Sequence, residues 1–167
     1  MPSSHRAARG QMSDSLLTAS FIILSGGFQD AYTYFFRGKV YANAQTGNIV
    51  LLSQHLFTGD FLKALHYLIP LVAFASGILA AELFREHFQS LKALHWRQMI
   101  VLAEILLLFS VGFFPQELNL LANAVVSFSC AMQVQTFRKV NGYAYASTMC
   151  IGNMRSGMEA LAVWIVK

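Results

Sequence analysis

Two carboxylates, Asp30 and Glu104, stand inside otherwise uncharged apolar runs. An ionisable group in such a run is costly unless it is paired or at work, so both are candidates for proton coupling. The chemistry would be capture and release of a proton or cation as the carboxyl cycles between acid and anion. Each has a plainer reading beside it: Asp30 pairing with Arg37 or Lys39, and Glu104 pairing with a polar residue such as Asn123. Glu82 lies at the end of its run next to Arg85 and reads as structural.

Small polar groups with binding chemistry surround Asp30. An apolar run carries Gln29 and Asp30, turns at Gly38, and restarts at Asn43, Thr46, Gly47 and Asn48. A helix start there offers amide, hydroxyl and unpaired backbone N–H groups, which suit an anionic ligand or a carboxylate. Gly47 would let a backbone approach closely. The competing reading is a helix cap that satisfies only its own helix. The same order returns later, with one gap allowed: Gln133, a basic corner at Arg138-Lys139, Thr148, then Gly152-Asn153. This is a degenerate internal repeat, and it makes Gln133, Thr148, Gly152 and Asn153 substrate-binding candidates beside Gln29, Asp30, Asn43, Thr46, Gly47 and Asn48.

Other chemistries find little support. His55, His66, His87 and His95 share no ligand spacing with a carboxylate, and Cys130 and Cys150 make no metal or disulfide motif, so no metal and no cofactor are expected. No nucleophile elbow, phosphate loop or dinucleotide fingerprint occurs. An intramembrane enzyme would need a nucleophile with a placed base, or paired carboxylates; Asp30 and Glu104 could pair only if the fold joined them. The tyrosines and tryptophans fit interfacial belts better than a stacking platform.

The elements that must position these groups follow from composition. Hydrophobic residues make up 56% of the 167-residue chain and charged residues 12%, with a mean hydropathy of +0.49. A soluble domain carries about 25% charged residues, so the solvent expected here is lipid. Runs at 16–36, 66–84, 98–114 and 118–137 each approach the ~20 residues that cross a ~30 Å hydrocarbon core, and a fifth begins at 156. A soluble bundle would need amphipathic stripes that these runs lack. The net charge of +4 sits singly between the runs, as the positive-inside rule predicts, which excludes nucleic acid as a partner.

The expected organisation is a polar cytoplasmic tail at 1–14 and a transmembrane domain at 15–167. Its spans cover about 15–36, 63–85, 98–114 and 118–137, with a fifth starting at 156–167. The first run continues through 31–36 and is therefore read as an uncleaved helix. Arg6 and Arg9 put the N-terminus in the cytoplasm; the cation-free turn at 115–117 belongs outside, and 85–97 and 138–139 belong inside. The segment 44–58 is then a re-entrant piece or half-helix. Arg37 and Lys39 stand against this arrangement, and the alternative, a full crossing by 44–58, puts Arg85, Lys92 and Arg97 outside. The stripe Ala73, Gly77, Ala81 allows a neighbouring backbone to approach closely. The fold class expected is all-α, a polytopic transmembrane helical bundle with an inverted repeat and re-entrant or broken-helix segments, an architecture of secondary transporters.

The motif Gly27-Phe28-Gln29-Asp30-Ala31, followed by 40–48 ending in Thr46-Gly47-Asn48, resembles the signature of the YoaK-like family of bacterial membrane proteins. The resemblance covers residue 16 to the C-terminus, and Asn43 with Thr46-Gly47-Asn48 is its most specific part. It implies about six spans in the bacterial inner (plasma) membrane and supplies no substrate, since the family's function is unknown. It also implies C-terminal truncation, because members run some tens of residues further. The second motif departs from the family's pattern, with Ile151-Gly152-Asn153 where a Thr-Gly pair is usual. The functional expectation is a secondary transporter or permease for an unidentified small solute, embedded in the lipid bilayer, with a homo-oligomer left open. The alternatives are a membrane scaffold or inactive truncated remnant and, third, an intramembrane enzyme.

Overall fold

Ser15 opens the first helix, its Oγ accepting the N–H of Thr18 at 3.2 Å. Helix α1 (Leu16–Phe36) then runs to a left-handed stop: Gly38 has φ +92°, Lys39 has φ +64°, and the Lys39 N–H reaches back to the Tyr34 carbonyl. That six-to-one bond with glycine in the left-handed position is a Schellman ending. The computed structural model describes residues 15–89, 95–140, 143–145 and 150–166.

After the stop come α2 (Gln45–Phe57), α3 (Phe61–Phe88), α4 (Trp96–Val111), a single 3-10 turn, α5 (Asn119–Thr136) and α6 (Cys150–Val166). The chain is all-α apart from a two-rung antiparallel ladder pairing β1 (Lys139–Val140) with β2 (Tyr143–Ala144). At 1.5 Å per residue α2 is about 20 Å long, two-thirds of a hydrocarbon core. Gly59, with φ +76°, turns the chain into α3, whose first turn is capped by Asp60 accepting the Lys63 N–H. Lys63 Nζ also lies 3.0 Å from the Asp60 carboxylate and holds its pKa below the ordinary carboxylate value.

Helix α5 is the centre of the bundle. It packs most extensively on α3, then on α4, with α1 against a further face; α2 lies on α3. The α3–α5 approach is close because of Gly77: a Cβ there would strike the Phe128 carbonyl and lie 2.8 Å from Ala131 Cβ. The small-residue stripe is thus filled within the chain itself. Helix α6 packs closely on none of the other described elements.

Two ends of the bundle are defined by contacts. His66 Nε2 lies 3.1 Å from the Gly38 carbonyl, so the chain leaves α1 and enters α3 at one end. At the other, Ala19 and Ile22 of α1 line a cleft with Phe137, Lys139 and Val140.

By length and composition one described helix, Phe61–Phe88, can cross a membrane, with mean hydropathy 1.9 over its best window. The sequence expectation was four spans. Gln29 and Asp30 dilute the hydropathy of α1, Asn123, Ser127, Ser129 and Gln133 that of α5, and α4 has 16 residues. The diluting residues are largely buried ones. Gln29, Thr33, Asn48, Glu104, Asn123, Ser127, Ser129, Gln133 and Thr136 are buried, whereas Leu16, Phe21, Phe28, Leu79, Leu106 and Phe109 are each at least 60% exposed. Polar side chains share the interior with apolar ones such as Val40, Ile100 and Val126, and large apolar side chains crowd the exterior.

Candidate functional site

Three helices bring one polar residue each to a common point. Gln29 on α1 donates from Nε2 to Glu104 Oε1 on α4 at 3.4 Å and to Ser25 Oγ at 3.0 Å. Cys130 on α5 donates from Sγ to Gln29 Oε1 at 2.8 Å. Gln29 and Glu104 are 4% and 5% exposed and Cys130 is fully buried, so the cluster is shielded from the surroundings. The partner of Glu104 is an amide, not a cation; Asn123, the partner weighed from the sequence, donates instead to the Arg37 carbonyl at 2.6 Å. Gln29 and Cys130 were legible only as a membrane glutamine and an isolated cysteine. Their meeting depends on how α1 crosses α5.

A cavity of about 250 Å³ opens beside this cluster, between α1, α4 and α5. Ser25, Gln29 and Tyr32 supply its polar wall, and Phe28, Leu108, Val111 and Val126 much of the rest. Further along α5, Ser127 Oγ, Ser129 Oγ and Gln133 Oε1 are buried with no hydrogen-bond partner. Buried polar atoms are normally satisfied, so this helix holds spare donor and acceptor capacity next to the cluster.

Asp30, the neighbour of Gln29, takes a different role. Its Oδ1 accepts the N–H of Asn43 at 2.7 Å and of Ala44 at 3.5 Å. Helix α2 starts at Gln45 and its own N-cap, Ala44, has no side-chain acceptor to offer. The carboxylate from α1 therefore holds the backbone that leads into α2 by the N–H groups of Asn43 and Ala44, while those of Gln45 and Gly47 go to the Asn43 and Ala44 carbonyls. Asp30 forms no pair with Arg37 or Lys39. Asp30 and Glu104 hold separate partners and make no carboxylate pair.

Asn48 closes the same break. Fully buried, it accepts the Tyr41 N–H through Oδ1 at 3.0 Å and donates from Nδ2 to the Tyr41 carbonyl at 2.6 Å and to Gln45 Oε1 at 2.8 Å. Gly47 gives room for this: a Cβ would stand 2.7 Å from the Tyr41 ring, which stacks on Tyr34 with centroids 4.7 Å apart. Thr46 is exposed.

Sequence reasoning missed the role of Arg37. Its side chain, 4% exposed, donates to Tyr32 Oη at 2.7 Å, the Pro115 carbonyl at 3.2 Å, Asn119 Oδ1 at 3.1 Å and the Val111 carbonyl at 3.2 Å. Val111 and Pro115 close α4, where the helix dipole is negative, so neutral oxygens hold this buried cation. The signal available was a cation at a helix end, with a turn elsewhere, 115–117, that has none.

Among the described residues, the α6 part of the second motif copy packs closely on no other element. Gly152 and Asn153 lie on α6, and a Cβ at Gly152 would meet nothing within 4 Å. Gln133 is buried on α5, three residues beyond Cys130. Thr148 lies outside the described residues, as do the tail at 1–14 and Lys92. Among the described residues, no three histidine, cysteine or carboxylate side chains gather where a metal ion could sit.

Comparison with known proteins gives one match: residues 18–167 fit the family described as Protein of unknown function (DUF1275). No curated protein and no solved structure matches the chain.

Proposed function

The chain belongs to the DUF1275 family, whose description carries no activity, and from its interior we propose a polytopic inner-membrane protein that acts as a secondary transporter or permease for a small solute. One observation carries this reading: the buried Gln29–Glu104–Cys130 cluster, a carboxyl group with an amide partner, stands beside a cavity of about 250 Å³ within a bundle whose exterior is apolar. Ionisable groups inside membrane bundles mark ion and substrate paths. Glu104 is the proposed proton carrier, and Gln29 the group that reads its charge and presents an amide to the solute. The cavity's mixed lining favours a small, largely apolar solute with a hydrogen-bonding group.

In this reading the end holding Gly38, His66 and the 115–117 turn faces outward, and the end holding Arg85, Arg97 and Arg138 faces the cytoplasm, with the N-terminus. The short α2 returns to the side it came from, a half-helix packed against α3. The resemblance to the YoaK-like family at 40–48 belongs to the same proposal. A scaffold that recruits partners through the small-residue stripe is less well supported, because Gly77 is filled by α5.

The test is reconstitution into proteoliposomes with an imposed proton gradient and a panel of small solutes. The expected result is gradient-driven accumulation of one solute class, lost in Glu104→Gln while exchange of that solute down its own gradient persists. Unchanged accumulation by the Glu104→Gln protein would remove Glu104 from the coupling role. Absence of any flux across the panel would count against transport itself.

A further inference from the structure

At the end of the bundle away from α2, the termini of α3, α4 and α5 enclose a second cavity of about 480 Å³. Arg85, Arg97, Arg138 and Lys139 line it together with Trp96 and Gln135. Two carboxylates face these four cations. Glu82 contacts Arg85, lies 3.6 Å from Arg138 Nη2 and accepts from Gln135 Nε2 at 2.7 Å, while Glu86 lies 3.3 Å from Arg85 Nη2. Among the described residues neither carboxylate pairs with Lys139, which leaves that cation to the wall.

Two further features point the same way. Arg85 Nε is buried and makes no hydrogen bond, so one N–H donor of its guanidinium is unused while Nη2 holds Glu82 and Glu86. Helix α4 begins at Trp96, in the cavity wall, so its positive terminal dipole adds to the cations. Arginine forks with a helix N-terminus recognise phosphate oxygens, and a volume of this size is within the range of small-ligand sites.

We propose that this cavity binds a phosphate anion, carried by an anionic lipid headgroup or by a free phosphate species. Basic pockets between helices at a membrane rim suit phospholipid headgroups. The site is separate from the Gln29–Glu104 cluster and does not depend on transport; its lipid form depends on the membrane reading.

The experiment uses the full chain in neutral detergent and follows thermal unfolding. One arm titrates phosphatidylglycerol against phosphatidylcholine in mixed micelles; the other titrates inorganic phosphate. A saturable rise in Tm with phosphatidylglycerol alone assigns the lipid headgroup. A saturable rise with millimolar inorganic phosphate assigns a free species. In either case Arg138→Gln with Lys139→Gln should weaken the response roughly tenfold or more, since two charge-assisted contacts are lost. Lys63→Gln, an exposed cation at the opposite end, should leave it unchanged. If the double variant does not fold, Lys139→Gln alone repeats the test at an exposed position. No saturable response in either arm would overturn the proposal. So would a response that Arg138→Gln with Lys139→Gln leaves intact, or that Lys63→Gln weakens equally.

Discussion

Asn48 grips both backbone groups of Tyr41, its Oδ1 taking the N–H at 3.0 Å and its Nδ2 giving to the carbonyl at 2.6 Å. A single side chain thereby replaces a strand partner for an irregular stretch of backbone. Only a carboxamide supplies a donor and an acceptor in this spacing. Asn48→Ala leaves two part-buried backbone groups unpaired and should cost about 1–3 kcal/mol in unfolding free energy. Asn48→Asp keeps the acceptor but turns an oxygen toward the Tyr41 carbonyl, and should destabilise as much. Thermal unfolding of the purified protein measures both. A loss below about 0.5 kcal/mol for Asn48→Ala would mean that the break is held by other contacts.

Asp30 separates capping from coupling. Asn still offers an oxygen to the Asn43 N–H, whereas Ala offers nothing, so Asp30→Ala should cost about 0.5–2 kcal/mol and Asp30→Asn distinctly less. A cap role predicts that Asp30→Asn keeps most solute flux in proteoliposomes. Loss of gradient-driven flux with unchanged stability in Asp30→Asn would instead make Asp30 a coupling group.

The helical runs were legible because apolar residues continue with Asp30 as the single charge through 16–36 and with none through 118–137, and these runs pointed to the all-α class. The polar residues that matter were legible as types but not as partners. Gln29 and Glu104 lie 75 residues apart, and Gln29 and Cys130 lie 101 apart. Only the packing of α1, α4 and α5 joins them, and no local spacing encodes it. Asp30 shows the same limit from the other side. Its cost inside an apolar run was plain, but its compensation, two N–H groups thirteen and fourteen residues on, depends on a turn made possible by Gly38. Arg37 was hidden for a related reason, because its oxygens come from a turn about 80 residues away.

Gly77 and Gly152 should respond oppositely to alanine. At Gly77 the new Cβ meets the Phe128 backbone and Ala131 Cβ, and backbone cannot step aside cheaply, so Gly77→Ala should cost about 1–3 kcal/mol. At Gly152, inside α6, the Cβ meets open space and the helix gains up to about 1 kcal/mol from the better former. The paired melting temperatures check both signs. A neutral Gly77→Ala would mean that α3 and α5 are not in this close register.

Arg37→Lys tests whether geometry or charge is needed at the end of α1. Lysine keeps the cation but cannot reach Tyr32, Val111, Pro115 and Asn119 together, because its donors sit on one nitrogen. The loss of fork contacts to a buried charge should cost about 2 kcal/mol or more. Equal stability of the Arg37→Lys protein, read from its unfolding curve, would reduce Arg37 to a simple interfacial charge.

The path of 37–62 can be followed with membrane-impermeant thiol reagents on a background carrying Cys130→Ala and Cys150→Ala. His66 lies against the Gly38 carbonyl, so the chain returns to the level it left. Introduced cysteines at Lys39 and Thr58, both exposed, should therefore label from the same face of a sealed vesicle. Gln89 and Arg138, beyond the far ends of α3 and α5, should label from the other. If 44–58 crosses instead, Lys39 and Thr58 label from opposite faces. The helix α2 would then have to span about 30 Å with thirteen residues, which reach only about 20 Å. That outcome would remove the half-helix from the proposed transporter and with it the reason Asp30 and Asn48 are built around its start.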